Sequence, residues 1–540
     1  MDESPPGGKH ILAIDHGTSG CKTALVTVRG EVAATAFQPT PVRFLPDGGA
    51  EQDPEAWWNA LLATSAQVIR ESGVPADDIA GVCCSSTFSS TVAADGEGRP
   101  LMDAMTWMDS RGAPIVRRKV RGILNLEGYG LSNLLRWIPK TGGGPTLSGK
   151  DDIAHVLYVQ DQRPDVYEKT SCFVGSKDWL NWRLTGRCAA SFDSITLFWV
   201  TDNRRVDDVR YDDGLIRRLG IDREKLPPLM RSTDVLGPVL PEVADSIGLK
   251  RGTPVVVGSA DLQSACVGSG AVRDFEGHVY IGTSSWVLCH VPFKKTDMFH
   301  KIASLPSAVP GRYFCANEQD MAGGCLEFLS KNVMFHNNAL NDRVPPENVF
   351  SLMDEVAAGV PPGANGVLFT PWLNGEKTPV DNETIRGGWH NLSVHNNMDD
   401  MVRAVFEGVA LNTRWNLKYV ERFTGRRMDP LNIIGGGARS DVWCRIMADV
   451  LDRTVRRVRD PLQANARGAA FIAAVGLGLL TFDEIPGLMR YDRTFEPDQQ
   501  NRLIYDRLFK EFVEVYRRNR GMYFRLNRWK SGLGDRPRRQ

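Results

Sequence analysis

Two short stretches rich in glycine and hydroxyl groups are the parts of this chain best suited to bind phosphate. The first is DHGTSGCK at residues 15–22, and the second is GTSS at residues 282–285. Each lies between two apolar runs and is therefore predicted to be the tight turn of a β-hairpin. Glycine lets backbone N–H groups converge, and the hydroxyls add neutral donors. The groups predicted to contact phosphate are Gly17, Thr18, Ser19, Gly282, Thr283 and Ser284.

Charged side chains near these turns supply the other requirements of phosphoryl transfer, a site for a divalent cation and a base. Asp15 precedes the first turn, where its carboxylate is placed to hold Mg²⁺ or its water shell. Lys22, after the turn, either adds a cation or points into solvent. Asp261 follows the apolar strand of residues 255–260, and the carboxyl end of such a strand presents side chains to a cleft. Asp261 is the predicted general base; the alternative is an Asp that only caps the next helix.

A third glycine-rich stretch, GGGARS at residues 435–440, joins an apolar strand to a helix predicted over 441–451. Three glycines leave a flat backbone on which a purine can lie, with Arg439 or Asp441 at its edge. The stretch also fits a plain strand–helix connection capped by Ser440, and the two interpretations are compatible. Near matches to a P-loop at 144–151 and to the Ser-x-x-Lys motif of penicillin-binding enzymes at 19–22 are rejected. Neither has the strand or helix context that its chemistry requires.

Composition is typical of an ordinary soluble globular protein. The 540 residues have a formal net charge of zero, so no global field favours nucleic acid or membrane partners. Ten cysteines without a Cys-x-x-Cys pair predict reduced thiols and a cytoplasmic protein. The chain end is basic, and we interpret it as a solvated helix face with a frayed tail. Its cations are Arg517, Arg518, Arg520, Arg525, Arg528, Lys530, Arg536, Arg538 and Arg539.

The order of predicted elements repeats hairpin, helix and strand. A helix is expected from Pro54, with Asp53 as its cap, to about residue 72, and a strand follows at 79–84. After an irregular stretch, a second unit begins near 254 and contains a long helix over about 399–423. The predicted domains are residues 10–253, residues 254–485 and a basic helical tail at 486–540.

These motifs, taken in order, resemble the FGGY carbohydrate kinases, most closely their xylulokinase-like branch. The resemblance covers about residues 10–485 and includes EQDP at 51–54, WMDSR at 107–111, KDWL at 177–180 and PWLNGEKTP at 371–379. It implies an α/β fold with two actin/hexokinase-like (RNase H-like) ATPase domains that flank a central cleft. It also implies ATP and Mg²⁺ as cofactors, a small sugar or polyol as substrate, and no nucleic acid or membrane partner. A homodimer is compatible with it.

Site residues follow from the resemblance by position. The implied catalytic residues are Asp261 and Asp15, and Asp15 is also the implied metal ligand. The implied substrate contacts are Thr87, Phe88, Ser89, Trp107, Asp109, Arg111 and Asp261. The implied ATP contacts are Gly17, Thr18, Ser19, Lys22, Gly282, Thr283, Ser284, Gly323, Glu327, Gly436, Gly437, Arg439 and Asp441.

The predicted function is ATP-dependent phosphorylation of a hydroxyl on a small sugar or polyol. Xylulokinases typically carry Gln-Met-His-Gly where this chain has Thr87, Phe88, Ser89 and Ser90, so the imidazole that meets the sugar is replaced. The hydroxyls here suit a polyol or a ketose of different shape, and residues 141–161 form a longer segment able to cover the pocket. The alternatives are an ATPase switch of the actin or chaperone kind and an inactive regulatory homologue.

Overall fold

Two mixed β-sheets with the same core topology organise residues 8–339 and 341–528, the parts of the chain that this computed structural model describes. In each sheet, a β-hairpin and a third strand beside its second strand form an antiparallel group. Two further strands lie on the other side, beside the first hairpin strand and parallel to it. The first sheet consists, in spatial order, of Val235–Pro238, Pro254–Ala260, Ile79–Ser86, His10–Gly17, Gly20–Thr27 and Val32–Pro39. The second consists of Thr296–Asp297, Ile302–Pro306, Tyr313–Ala316, Ser285–Val291, Gly277–Ile281, Leu431–Ile434, Val455–Val458 and Tyr491–Phe495.

A smaller antiparallel sheet and the helices complete the two halves. The smaller sheet consists of Cys172–Gly175, Thr91–Ala94, Ala104–Met105, Ala50–Gln52 and Arg43–Phe44. The α-helices of six or more residues are Pro54–Ser72, Ala113–Val120, Leu131–Thr141, Asp152–Gln162, Pro164–Lys169, Ser176–Thr185, Asp213–Leu219, Pro241–Ile247, Asp261–Gly268, Val349–Gly359, Met398–Thr424, Asp441–Leu451, Ala464–Gly476 and Arg502–Asn527. Among the residues described, no helix is both long and apolar enough to span a bilayer.

Several helices begin where the sequence places their caps. Asp53 accepts a hydrogen bond from the backbone of Glu55 at the start of the helix Pro54–Ser72. Asn397 and Asp400 form a reciprocal capping box at the start of Met398–Thr424. Ser440 accepts a bond from the backbone of Trp443 and begins Asp441–Leu451. The caps at Asp53 and Ser440 confirm the local predictions, because capping depends only on residues that are close in sequence.

The first sheet extends beyond the domain limit suggested by the sequence. The strand Pro254–Ala260 pairs in parallel with Ile79–Ser86 and so completes the first sheet, although the sequence analysis assigned it to the second domain. A run of valines predicts a buried strand but does not identify the neighbour with which it pairs.

The stretch after residue 485 is part of the second half rather than an appended tail. Tyr491–Phe495 pairs with Val455–Val458 at the edge of the second sheet. On the helix Arg502–Asn527, Tyr505 and Phe512 are fully buried in the second core. The last basic residues of the predicted tail, Lys530, Arg536, Arg538 and Arg539, lie outside the described residues.

Two helices pack in direct backbone contact between the halves. On Asp261–Gly268, a Cβ at Gly268 would lie 1.8 Å from the carbonyl oxygen of Ala464. On Ala464–Gly476, a Cβ at Gly468 would lie 1.7 Å from the carbonyl oxygen of Ser264. Only glycine fits at either position. This crossing fixes the helix that begins at Asp261 against both halves.

Candidate active site

A cleft of about 2220 Å³ lies between the two halves, and both predicted turns reach it. Its walls also contain residues of the insertion after position 141 and of the C-terminal helix. The predicted site residues that line it are Asp15, Gly17, Thr18, Ser19, Lys22, Thr87, Phe88, Ser89, Trp107, Asp261, Thr283, Ser284 and Gly436.

The first turn is held by side chains from the smaller sheet and its loops. Trp107 donates from Nε1 to Oγ1 of Thr18 over 2.9 Å, and Gln52 donates from Nε2 to the carbonyl oxygen of Thr18 over 3.0 Å. Ser19 is exposed at the tip of the turn. Because Trp107 occupies an acceptor position of Thr18, the hydroxyl hydrogen of Thr18 remains available to a ligand.

Asp15 and Lys22 are direct partners across the first hairpin. Asp15 is buried, and burial raises the pKa of its carboxyl group while Lys22 and Asn465 oppose that change. Asn465 donates to Oδ1 of Asp15 over 3.4 Å, and Lys22 donates from Nζ to the carbonyl oxygen of Leu462 over 3.2 Å. Lys22 therefore contacts the second half at the cleft wall, and of the two alternatives for it the structure does not show a side chain without a partner in solvent.

The second turn rests on a loop of its own half. Gly282 donates from its backbone to the carbonyl oxygen of Ser284 over 2.9 Å. The backbone of Gly323 donates to the carbonyl oxygen of Gly282, and that of Ala322 to Thr283, each over 2.7 Å. Gly282 and Gly323 thus support the turn by their backbones, while Thr283 and Ser284 line the cleft.

Asp261 lies where a strand bends into a helix. The register of the first sheet shifts between Val256 and Ser259, and Gly258 there has a φ of +73°. A Cβ at Gly258 would lie 2.1 Å from the carbonyl oxygen of Cys84, so this bulge requires glycine. The bend lets Asp261 leave the plane of the sheet and reach the cleft.

A buried polar network fixes the backbone that carries Asp261. Asp193 accepts hydrogen bonds at Oδ2 from the Ser259 hydroxyl over 2.5 Å and from the Ala260 backbone over 3.1 Å. Lys177 and Asn181 donate to the carbonyl oxygen of Val257 over 3.1 and 2.7 Å. Sequence reasoning missed this support, since its members come from three separate segments.

The electrostatic surroundings of Asp261 favour its protonated form. Burial and the nearby carboxylates of Asp15 and Glu318 raise the pKa of Asp261 to about 8, against backbone hydrogen bonds from Leu262 and from Asp261 itself. Asp261 is the first residue of its helix and Ala260 is the cap, so a capping role does not account for the position. A carboxyl group with a pKa near neutrality in a cleft is suited to proton transfer.

A cluster of charges on the second half, which sequence reasoning missed, faces Trp107. Lys377 donates from Nζ to Glu318 over 2.7 Å and lies 3.7 Å from Oδ1 of Asp320. The same Nζ lies 5.4 Å from the centre of the Trp107 ring, so a cation–π contact joins the two halves. The only sequence signal was the stretch PWLNGEKTP, in which Lys377 is the seventh residue.

Asp109 and Arg111 lie behind the cleft wall rather than in it. Asp109 is fully buried and accepts hydrogen bonds from the backbone of Ala50 and from the Arg111 side chain. Arg111 also pairs with Glu51 over 2.6 Å. This ion-paired cluster braces the loop that carries Trp107. The resemblance implied that Asp109 and Arg111 contact the substrate directly, but the structure places both behind the cleft wall instead.

Six of the implied ATP contacts lie outside the cleft lining: Gly282 and Gly323, which support the second turn, and Glu327, Gly437, Arg439 and Asp441. Asp441 pairs with Arg457 and Arg493 on the outer side of its helix, because the first turn of that helix faces the second sheet's edge strands. Glu327 is exposed and pairs with Lys331. Arg439 is exposed, and Gly437 packs beside Ile281. Gly436 is the member of the GGGARS stretch that both was predicted and lines the cleft.

The insertion after residue 141 closes one end of the cleft. The carbonyl oxygen of Gly142 accepts a hydrogen bond from the Thr296 hydroxyl of the second half over 2.8 Å. The carbonyl oxygen of Lys150 accepts a bond from Ser89 over 2.9 Å. Asp151 accepts from Trp199 Nε1 over 2.7 Å and caps the next helix, which excludes a P-loop role.

The carboxylates of the site suit a cation that arrives with a nucleotide. Within the described ranges, no group of three or more His, Cys, Asp or Glu side chains could hold a metal ion by itself. Asp15, Asp261 and Glu318 nevertheless line the same cleft, close enough for their charges to interact. Hard oxygen donors of this kind fit Mg²⁺, which usually keeps several waters and shares its ligands with substrate phosphates.

Fold and cleft together define a carbohydrate kinase, and the comparisons give the family. Residues 10–268 match the N-terminal domain, and residues 277–477 the C-terminal domain, of the FGGY family of carbohydrate kinases. The chain belongs to that family. It is 28% identical over 513 residues to a xylulose kinase of Bacillus subtilis, which covers 94% of this chain and 97% of the relative. It is 26% identical over 530 residues to an autoinducer-2 kinase of Salmonella choleraesuis, with 95% of each chain covered.

Solved structures show the same fold. A xylulose kinase from Rhodospirillum rubrum superposes with a TM-score of 0.79 at 26% identity, over 95% of this chain and 100% of the other. A gluconate kinase from Lactobacillus acidophilus superposes with a TM-score of 0.83 at 21% identity, over 96% and 99%. The predicted two-domain α/β architecture and the xylulokinase-like resemblance are therefore confirmed.

Proposed function

We propose that this protein transfers the γ-phosphate of ATP to a hydroxyl of a small sugar or polyol, with Asp261 as general base. The observation that carries the proposal is the position of Asp261, which lines the same cleft as Thr18 and Thr283 of the two turns. Its raised pKa, about 8, gives it the proton affinity that a base needs. An alcohol bound between Asp261 and Trp107 would meet a phosphate held by the turns.

Different residues of the cleft would have different roles in the reaction. Thr18, Thr283 and the turn backbones would hold phosphate oxygens, and Asp261 would accept the proton of the attacking hydroxyl. Mg²⁺ bound to the nucleotide would supply positive charge near Asp15, which favours the ionised form of Asp261. Lys377 reaches Trp107 from the opposite wall and would keep the cleft closed, so that water is excluded as a competing acceptor.

Substitution of Asp261 by Asn tests the base. The Asn side chain still accepts the hydrogen bond from the Leu262 backbone, so the local fold should persist. We expect kcat to fall by roughly 100-fold or more, as is typical for loss of a general base, with little change in ATP affinity. Asp399→Asn is the matched control, because Asp399 is an exposed Asp in the first turn of another helix. A kcat within a few-fold of the wild-type value would show that Asp261 is not the base.

A coupled ADP-release assay over a panel of acceptors identifies the substrate. The panel contains D-xylulose, other ketoses, D-gluconate, glycerol and autoinducer-2, since relatives and structural neighbours carry xylulose, gluconate and autoinducer-2 in their names. ATP hydrolysis that no acceptor stimulates would instead favour the ATPase switch. Absence of both activities would favour the inactive regulatory homologue.

A further inference from the structure

The acceptor side of the cleft is walled by apolar side chains. Phe88, Leu197 and Leu262 are half-buried, line the cleft and pack against one hydrophobic cluster. That cluster contains Trp199 and Trp286, which also line the cleft. Leu262 directly follows the proposed base. We call these five residues the apolar wall.

Four aromatic side chains of this region direct their polar atoms into the protein; Tyr280, which stacks on Trp286 and also lines the cleft, is not one of them. Trp137 donates from Nε1 to the carbonyl oxygen of Trp199 over 2.9 Å, and Trp199 donates to Asp151 over 2.7 Å. Trp286 donates to Nε2 of His278 over 3.1 Å. Tyr129 donates from its hydroxyl to the carbonyl oxygen of Pro145 over 3.0 Å. What these rings can offer a ligand in the cleft is therefore apolar surface.

The hydroxyls that the sequence offered to a sugar are also engaged within the protein. Ser89 is buried and donates to the carbonyl oxygen of Lys150 over 2.9 Å. Thr87 and Ser90 bond to each other over 3.2 Å. Ser86 donates to the carbonyl oxygen of Thr87 and accepts from the Lys177 backbone. Each of these hydroxyls therefore already has a hydrogen-bond partner within the protein.

The helix before the insertion, and the insertion itself, add to the apolar surface of the cleft. Leu134, Trp137 and Ile138 of the helix Leu131–Thr141 line the cleft, as does Leu147 of the insertion. The total volume, about 2220 Å³, exceeds the roughly 300–1,000 Å³ of an ordinary small-molecule pocket. Space therefore remains beside a nucleotide and a small sugar, and much of its lining is aromatic or aliphatic.

We propose that the natural acceptor is an alcohol with an apolar part, a deoxy sugar or an alkyl- or aryl-substituted polyol, whose apolar part packs on the apolar wall. This inference rests on the proposed function, since the reacting hydroxyl must still reach Asp261. A fully hydroxylated sugar would lose hydrogen bonds to water against this wall without replacing them. An apolar group would gain from leaving water.

Two matched substrate series test the inference with the wild-type protein. The first is glycerol and its 1-O-methyl, ethyl, propyl and butyl ethers; the second is D-xylulose and 1-deoxy-D-xylulose. We expect kcat/KM to rise roughly threefold to fourfold for each added methylene that becomes buried. We expect 1-deoxy-D-xylulose to exceed D-xylulose by about tenfold or more. If the protein phosphorylates none of the glycerol series, the ratio of kcat/KM for 1-deoxy-D-xylulose to that for D-xylulose tests the inference by itself.

A substitution in the wall tests its role. Leu262→Gln should abolish the rise in kcat/KM along the glycerol ethers. It should also lower the ratio of kcat/KM for 1-deoxy-D-xylulose to that for D-xylulose at least fivefold. Leu503→Gln is the matched control, because Leu503 is 70% exposed on the C-terminal helix and does not line the cleft. It should leave both series unchanged. Thermal unfolding of each variant separates a folding defect from a change in specificity.

The outcomes separate the inference from the proposed function. Efficient turnover of glycerol or D-xylulose with no gain from alkyl or deoxy analogues would overturn the inference and leave the kinase activity standing. Phosphorylation of no alcohol in either series or in the wider panel would overturn both. If kcat/KM rises along the glycerol ethers equally in the wild type and in Leu262→Gln, the apolar group binds elsewhere.

Discussion

Replacement of Asp261 by Asn should stabilise the free protein even though it removes the proposed base. Burial and the charges of Asp15 and Glu318 raise the pKa of Asp261 from its ordinary value of 3.8 to about 8. The folded protein therefore keeps this proton up to about pH 8, whereas the unfolded chain releases it near pH 4. The folded state must consequently lose stability as the pH rises between those two values.

The magnitude follows from the same difference. A change of one in pKa corresponds to about 1.4 kcal/mol. The upper limit on the free energy of unfolding gained by Asp261→Asn is therefore roughly 6 kcal/mol at pH 8 and above. The cleft is open to water and can relax around the charge, which lowers the expected gain to about 2 kcal/mol. For a domain of this size, about 2 kcal/mol corresponds to a rise in Tm of roughly 4–8 °C.

Thermal unfolding of the nucleotide-free protein between pH 5 and pH 9 measures the effect. The Tm of Asp261→Asn minus that of the wild type should be small and positive at pH 5, increase to about pH 8 and then level off. Asp399→Asn, in the first turn of another helix, should show no such trend. A variant no more stable than the wild type at pH 8 would refute the electrostatic reasoning. So would a difference in Tm that does not change with pH.

Three further substitutions test contacts that hold the cleft together. Gly468→Ala should lower the free energy of unfolding, measured in urea, by about 1–3 kcal/mol or more, because the added Cβ meets the Ser264 carbonyl. Gly478→Ala is the comparison, because a Cβ at Gly478 has open space around it and the only cost there is the strain of a φ of +70°. Trp107→Phe removes the hydrogen bond to Thr18 and should lower kcat/KM about tenfold without changing Tm by more than 2–3 °C. Lys377→Met leaves Glu318 without its cation and should raise KM for ATP severalfold; an unchanged KM would exclude the proposed closing contact.

Local features of the fold could be predicted because they depend on neighbours in sequence. The cap at Asp53, the cap at Ser440 and the two hairpin turns all follow from residues within four positions of one another. The identity of Asp261 as a cleft residue followed from its place after an apolar strand. Its pKa did not, because the value depends on burial and on Asp15 and Glu318, which are distant in sequence.

Side-chain partners in the site could not be predicted in the same way. Asp109 and Arg111 belong to a motif that looks like a binding sequence, yet Arg111 is committed to Glu51 and Asp109. The serine-rich run after the strand Ile79–Ser86 looks polar, yet Ser89 bonds to Lys150 of the insertion. Hydrogen bonds between residues 61 positions apart are decided by packing, and packing has no local signal.

By itself, the sequence determined that two similar α/β halves exist, that each carries a phosphate-type turn, and that an acid follows a buried strand. Those properties arise from glycine conformation, hydrophobic periodicity and capping, which act over a few residues. Only the tertiary structure decided that Pro254–Ala260 completes the first sheet, that Lys377 meets Trp107, and that an apolar wall flanks Asp261. Those properties arise from contacts between distant segments, where burial and charge are set by the whole assembled cleft.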